Sequence, residues 1–496
     1  MNKKWVPITV KTTAIVIFVF ITVSNFLTGC SSGTSMARVV GGLGSPFGYS
    51  RESTADYQRF KEQYAQLTIN DKSRAIQLRH FSDAYYRVRS EYVHVINDKL
   101  LIDSAIKGLR EIKEPPGTIT SERATEAALD SMLGSLDPHS GYMNPQELAA
   151  SRASTSGQFG GLGIQIKMTD GFIEVVSPMV DTPAYRAGLQ SGDLITHVDG
   201  NSIKQMNLVS AVNRLRGEPG SKVQITVRRS GVSSFLVTIT RAIIKVKPVK
   251  WHTEGYIGVV RITRFNLRSL DALENAIKNI RAQLGPNING LVVDLRNNPG
   301  GLLNQSVAIT DAFLNHGKII SVRDRDGEVR GFEARKGDIT GGLPIVVLIN
   351  RGSASASEIV AGALQDHRRA TLMGRRSFGK GSVQTIAPLD WGGALRLTTA
   401  LYYLPSGRTI QGSGIDPDLV VIEKEDVVGK READLPNALV TPGRLQQKSV
   451  RPQVELDQCP VAGTEKKDKL LGCAVLFLTA GSQENFISLL NARKRP

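Results

Sequence analysis

Apolar residues recur at helical spacing from Tyr57 to about Arg110, with Tyr85, Val88, Tyr92 and Val95 on one face. A second helical stretch, residues 121–136, carries Ala124, Ala128, Leu129, Met132 and Leu133, and it stops at "SLDPHSGYM", where Asp137-Pro138 ends the helix. From Gly160 to about Val246 the period shortens. Strands are expected at 163–166, 173–176, 194–198, 223–227 and 236–239, with one amphipathic helix at 208–216 whose stripe is Leu208, Val209, Val212 and Leu215. Beyond Trp251 strands and helices alternate. "GYIGVVRI" reads as a strand, 270–284 as a helix, and "GLVVDL" (290–295) and "LPIVVLIN" (343–350) as nearly continuous apolar strands. Such runs belong in a sheet covered on both faces, an α/β core. Residues 424–458, charged and Pro-containing, read as a poorly ordered linker, and about 474–492 as a final helix.

Length changes this picture by requiring more than one core: 496 residues imply two or three folded domains plus tails. The net charge of +16 favours anionic partners, but the basic residues are scattered, without an arginine-rich arm or zinc-finger spacing, so nucleic acid is not expected as a partner. The N-terminus sets the compartment. Lys3, Lys4 and Lys11 precede "AIVIFVFI" (14–21), too short for a comfortable membrane span and suited to a signal peptide. The run ends at Leu27-Thr28-Gly29-Cys30, which resembles a bacterial lipobox, with Cys30 as the acylated first mature residue; an uncleaved signal anchor is the alternative. Export to the periplasm follows, on a lipid anchor in a membrane, and the serine after Cys30 points to the outer rather than the inner one. In that oxidising compartment a disulfide between Cys459 and Cys473 is expected, two free thiols being the alternative. The seven histidines are dispersed and none sits beside a cysteine at ligand spacing, so neither a metal nor a cofactor is expected.

The chemistry turns on "NRGSASASEIVAGALQD" (350–366). A strand runs into Gly352 and a helix follows from about Ala356, so the serines stand at a helix N-terminus, where free N–H groups favour developing negative charge. Ser355-x-x-Glu358 also matches a capping box, and from this segment alone capping and catalysis both stand. His367 lies at the far end of the same helix, too distant to act as a base for Ser355. A neutral lysine is the other option, since burial depresses its proton affinity. "SFGKGSVQ" (377–384) offers Lys380 between two glycines, with Gln384 placed to orient the amine.

Two resemblances come from longer motifs. "FGGLGIQI" (159–166), "DTPAYRAGLQSGDLITHVDGNSI" (181–203) and the single helix resemble a PDZ domain of the bacterial-protease type. Its carboxylate loop falls on Gly161, Leu162, Gly163 and Ile164, with Val209 and Val212 on the groove helix. "GSASASEIVAGAL" followed by "GRRSFGKGSVQ", together with "LDPHSGYM", "DLRNNPGG" (294–301) and "GSGIDPDLVV" (412–421), resembles the C-terminal processing peptidases, serine–lysine enzymes of bacterial envelopes and thylakoids. The resemblance implies Ser355 as nucleophile, Lys380 as general base and Gln384 as its orienting partner. It implies an oxyanion hole from Ala356 and from Gly301 or Gly300, with Gly301 preferred.

The implied architecture is a multi-domain α/β protein, a crotonase-like α/β protease core with a PDZ domain inserted after a helical N-terminal region. Its parts are a lipoprotein signal peptide (1–30), a tether (31–56), the helical region (57–155), the PDZ domain (156–246), the Ser/Lys peptidase core (247–422) and a linker with C-terminal tail (423–496). The implied substrates are proteins with exposed, apolar C-termini, the chain is expected to form a homo-oligomer, and whether it needs an adaptor protein is left open by the sequence. Two competing readings are a PDZ scaffold with little catalysis and an acyl-CoA hydratase-like enzyme. The Ser355, Lys380 and Gln384 set argues against the first, and the export signal against the second.

Overall fold

The structure is a computed structural model that describes residues 55–204, 206, 208–423, 429–440, 451–464 and 467–492. Cys30, the signal peptide and nearly all of the tether lie outside the described residues, as does the side chain of Val209.

Strand alternation builds the central sheet. Its seven strands run in the order Val249–Glu254, Ile257–Ile262, Gly290–Asp294, Ile345–Ile349, Thr371–Gly374, Leu419–Ile422 and Gln453–Glu455, parallel except for the first pair. Along these strands both alternating sets are apolar, because both faces are covered. Val260, Leu291, Val293 and Val347 meet the helices Ser269–Leu284, Leu303–Asp311 and Ala356–Asp366 on one face. Val259, Val292, Val346 and Leu348 meet the C-terminal helices Lys469–Ala480 and Gln483–Ala492 on the other. Each fully buried valine or leucine contributes about 1.5–3 kcal/mol, so these two layers dominate the stability of the unit.

In this region one strand escapes the sequence pattern and two expectations are corrected. The first strand, Val249–Glu254, has no clear signal in the sequence, because His252, Thr253 and Glu254 interrupt its apolar pattern. The stretch 424–458, expected to be a poorly ordered linker, contains the turn Glu432–Asp434, which buries Glu432, and the edge strand Gln453–Glu455, which is too short to show a period. The final helix is two helices. Asp468 caps the first by accepting from the Leu471 N–H at 2.9 Å, and Gly481, left-handed at φ 72°, ends it. Cys459 and Cys473 form a disulfide that ties this helix to the preceding loop.

A second sheet supplies the platform for the lysine motif. Ala394–Tyr403 pairs with Gly141–Met143, Lys318–Asp324 and Ser382–Pro388, and Gly327–Glu333 adds to Lys318–Asp324. The N-terminal helices Ala55–Leu67, Arg74–Glu91, Asp98–Arg110 and Ser121–Gly134 pack on it through Leu395, Leu397 and Leu401. This contact brings "LDPHSGYM" to the lysine strand.

A β-domain with its own core follows the N-terminal helices in the chain. Strands Ile164–Thr169, Phe172–Pro178, Leu194–Val198, Lys222–Arg229 and Val232–Thr240 pair in that order, so Ile164–Thr169 is an edge strand. The helix Leu208–Leu215 buries Ala211 and Leu215, whereas Leu208 is exposed and Val212 partly so. The apolar stripe is thus split between the core and the outside instead of facing inward throughout. Strands Gln158–Gly161 and Ala242–Lys245 pair at the entrance and exit of the domain. Among the described residues no helix is long and apolar enough to cross a membrane.

Candidate active site

Strand Ile345–Ile349 delivers the chain to the serines, and two of their hydroxyls fasten the segment to a neighbouring turn. Ser353 is buried, donates to the Leu295 carbonyl at 2.8 Å and accepts from the Asn350 N–H at 3.0 Å. Ser357 is also buried and donates to the Asn298 carbonyl at 2.9 Å. Both hydroxyls are consumed in holding the serine turn against "LRNNPGG" (295–301). Ser355 differs. It is partly exposed and adopts φ 56° with ψ −115°, a backbone conformation that a side-chain-bearing residue occupies only under strain. Its Oγ lies 2.8 Å from the Tyr402 hydroxyl.

Glu358 supplies the restraint. It is fully buried on the first turn of Ala356–Asp366 and accepts four hydrogen bonds. Oε2 takes the Ser355 N–H at 2.7 Å and the Lys380 N–H at 2.9 Å; Oε1 takes the Ser377 hydroxyl at 2.5 Å and the Gly379 N–H at 2.7 Å. The acidic half of the capping box is therefore formed, and it also holds the lysine loop. Burial pushes the Glu358 carboxyl up to about 7, against the pull of these four donors.

Lys380 precedes strand Ser382–Pro388 and is partly exposed by surface area, with its ammonium end turned toward protein. Nζ donates to Gln384 Oε1 and, at 3.5 Å, to the Ser382 carbonyl. Desolvation lowers the lysine to about 8, opposed by the negative charges of Glu432, Asp137 and Glu358. A register shift between Val383 and Gln384 re-aims the glutamine, as bulges near functional sites do. Its orientation is fixed by its own donors: Nε2 bonds Ser382 Oγ at 3.0 Å and Thr398 Oγ1 at 3.2 Å, which leaves Oε1 for the amine. Thr398 in turn donates to buried Asp137 at 3.0 Å. Among the described residues Ser355 and Lys380 share no hydrogen bond, although Glu358 holds their backbones together.

The glycine pair divides its work. Gly300, at φ 99°, passes so close that a Cβ there would stand 2.9 Å from Ser355 Cβ and 3.0 Å from the Ala356 nitrogen. Its N–H is given to Asn298 Oδ1 at 2.9 Å. Gly301 pairs with Phe265, where a Cβ would meet the Phe265 carbonyl oxygen at 2.0 Å. Among the described residues, no acceptor is found for the N–H of Gly301 or of Ala356.

In the β-domain the carbonyls of the Gly161–Ile164 loop are taken up internally. Leu162 accepts from the Ala184 N–H at 2.9 Å, and Gly163 accepts from the Met179 N–H at 2.8 Å and the Thr182 hydroxyl at 3.0 Å. The loop's shape depends on Gly163, at φ 79°, where a Cβ would fall 2.3 Å from that of Thr182. Several groups around the lysine escape the sequence reading: Tyr402, Thr398, Asp137 and Glu432. Only Asp137 carries a signal, in the quoted "LDPHSGYM". His367, at the end of the helix, bonds the Lys318 carbonyl at 2.7 Å and is remote from Ser355.

This arrangement of sheet, serine turn and glycine turn defines a class. Residues 256–421 match the model of peptidase family S41, and residues 174–229 match that of the PDZ domain. A carboxy-terminal-processing protease of Bartonella bacilliformis is 50% identical over 357 residues, covering 71% of this chain and 77% of its own. The carboxy-terminal processing protease of Bacillus subtilis is 34% identical over 339 residues, 68% of this chain and 67% of its own. Among solved structures, the photosystem II D1 C-terminal processing protease aligns at 32% identity and TM-score 0.44, over 69% of this chain and 92% of its own. The chain belongs to the carboxy-terminal processing proteases of peptidase family S41, serine peptidases that act on protein substrates and here carry a PDZ domain ahead of the protease domain.

Proposed function

We propose that the protein cleaves protein substrates by acyl transfer, with Ser355 as nucleophile and neutral Lys380 as general base. The observation that carries this reading is the Glu358 carboxylate, which holds the amides of a strained, accessible serine and of a lysine with lowered proton affinity on one oxygen. Lys380 accepts the Ser355 proton as Oγ attacks the peptide carbonyl, then passes it to the leaving amine. Water repeats the cycle on the acyl-enzyme. Gln384 orients the amine throughout. Before attack the serine hydroxyl must leave Tyr402 for the lysine.

The oxyanion is held by the N–H groups of Ala356 and Gly301, which have no acceptor among the described residues. Gly300 contributes room beside the serine, its own N–H being committed to Asn298. The PDZ domain receives the substrate C-terminus: the edge strand Ile164–Thr169 offers its backbone to an extended peptide, and the Gly161–Ile164 loop takes the terminal carboxylate. The family resemblance supports an apolar last residue in the substrate.

Replacing Ser355 or Lys380 by alanine abolishes cleavage of an unstructured protein with an apolar C-terminus; full residual proteolysis in either variant sinks the dyad. The enzyme is placed in the periplasm, lipid-anchored through Cys30 and on the outer membrane in preference to the inner. The N-terminal apolar run and the Leu-Thr-Gly-Cys motif support this, as does a disulfide suited to an oxidising compartment. A Cys30→Ser protein that still partitions with membranes at mature size contradicts acylation there. The same reading includes a homo-oligomer, tested by light scattering, and the need for an adaptor is tested by whether purified enzyme degrades purified substrate alone.

A further inference from the structure

The segment 429–440 lies beyond the end of the S41 match at residue 421, yet it runs against the lysine loop. Glu432, on the turn Glu432–Asp434, is completely buried. Its carboxylate bonds His139 Nε2, at 2.8 Å from Oε2 and 3.0 Å from Oε1, and Oε1 also accepts from Gln411 Nε2 at 3.0 Å. The backbone N–H of Glu432 donates to the Phe378 carbonyl at 3.2 Å. Gln411 carries the contact forward, because its Oε1 accepts the N–H of Gly381, the residue after Lys380, at 2.9 Å. At the far end of the segment, Asn437 Nδ2 donates to the Gly134 carbonyl at 3.1 Å, pinning the strap to the helical region.

Burying a carboxylate this deeply is costly unless its partners are fixed, and an apolar side chain of similar size would serve mere packing better. We propose that Glu432 is a positioning residue for the lysine base, holding the Lys380 loop through Gln411 and the Gly381 amide and setting a carboxylate against it. The strap beyond the family match thereby completes the active site. This inference rests on the reading of Lys380 as the base.

The charged groups facing Lys380 come from four elements: Glu432 from the strap, Asp137 from the Asp-Pro-His-Ser turn beside His139, Glu358 from the serine helix, and Arg396 from the opposing strand. Of the three carboxylates, Glu432 acts most strongly to keep the proton on the lysine. Removing its charge therefore makes Lys380 easier to deprotonate, and the acid limb of the rate profile moves to lower pH. Loosening the loop acts separately, on kcat.

The test uses the full chain and an unstructured protein substrate, comparing wild type with Glu432→Gln, Glu432→Asp and Lys380→Ala. Glu432→Gln is expected to lower kcat about fivefold or more with KM little changed, and to move the acid limb down by about half a pH unit. Glu432→Asp keeps the charge on a shorter stem, so kcat falls while the limb stays. A Glu432→Gln profile superimposed on wild type, with a lower melting temperature alone, reduces Glu432 to packing and overturns the proposal. Should Glu432→Gln fail to fold, a wild-type kcat in Glu432→Asp overturns it equally. An active Lys380→Ala instead removes the base reading, an outcome distinct from an inactive Lys380→Ala beside a wild-type-like Glu432→Gln.

Discussion

The backbone N–H groups of Ser355 and Lys380 donate to one and the same atom, Oε2 of Glu358, at 2.7 and 2.9 Å. The proposed nucleophile and base come from different loops, and this oxygen ties their backbones together before any substrate arrives. Glu358→Gln keeps the shape but presents an NH2 group to two of the four donors. Each buried donor so stranded costs about 1–3 kcal/mol, so the variant should melt several degrees lower. Because the dyad is also set askew, kcat should fall by about a hundredfold, beyond what partial unfolding at assay temperature explains. Thermal unfolding and single-turnover acylation on the same preparation separate the two effects.

The lysine supplies a pH prediction with a definite sign. Burial lowers Lys380 from 10.5 to about 8, and only the neutral amine can accept the serine proton. Protonation below the midpoint removes the base, so log kcat/KM should rise by about one per pH unit up to pH 8 and level above it. At pH 7 roughly a tenth of the enzyme is then in the active form. A profile flat from pH 6 to 9 would mean that Lys380 is not the titrating base.

Tyr402 lies within hydrogen-bond reach of Ser355 and competes with Lys380 for the proposed role of base. Burial pushes its phenol far above the ordinary value, so it stays protonated throughout the working range. It therefore acts as a hydrogen-bond partner of Ser355. Tyr402→Phe should change kcat by no more than about tenfold, the scale of one neutral hydrogen bond, and leave the pH midpoint where it is. A displaced acid limb in this variant would transfer the role of base to the tyrosine.

How far the sequence carries the reading can be judged residue by residue. Ser355, Lys380 and Gln384 lie in short motifs whose residue types suit acyl transfer, so they are legible as candidates. Glu358 is legible only as a helix cap, because nothing local shows that its second oxygen reaches Ser377 and Gly379. Tyr402 sits in an ordinary alternating strand, and only the pairing of Lys318–Asp324 and Ser382–Pro388 with that strand brings it to the serine. Glu432 is hidden in a charged, proline-containing stretch where composition suggests disorder. The groove helix is legible only in part: of its periodic stripe Leu215 packs inward with Ala211, whereas Leu208 is exposed and Val212 partly so. Periodicity finds an amphipathic helix; it does not say which side a second, half-exposed apolar surface will serve.

The disulfide predicts a stability effect separable from chemistry. Cys459 and Cys473 close a loop with a sequence separation of 14, for which constraint of the unfolded chain is worth about 3 kcal/mol. Both cysteines lie in the core that covers the second face of the large sheet, away from the serine. Replacing both by alanine should lower the melting temperature while leaving kcat of the folded protein within about twofold at a temperature where it remains folded. A loss of kcat without a loss of stability would place this layer in the catalytic machinery.

Gly300 offers the sharpest test of the glycine turn. At φ 99° a side chain is strained, and a Cβ would stand 2.8 Å from the Ala354 carbonyl oxygen and 2.9 Å from Ser355 Cβ. Both neighbours belong to the fastened serine turn, so neither can yield as the end of a long side chain could. Gly300→Ala should therefore displace Ser355, the proposed nucleophile, and lower kcat by about a hundredfold or more. The variant should fold, because Gly300, although buried, lies on a turn outside both sheet layers, and it should cost about 1–3 kcal/mol. Titration with a serine-directed phosphonate reports the outcome directly. Slow labelling in a well-folded Gly300→Ala protein is the expected result, and labelling at the wild-type rate would show that the turn tolerates the methyl group without moving Ser355.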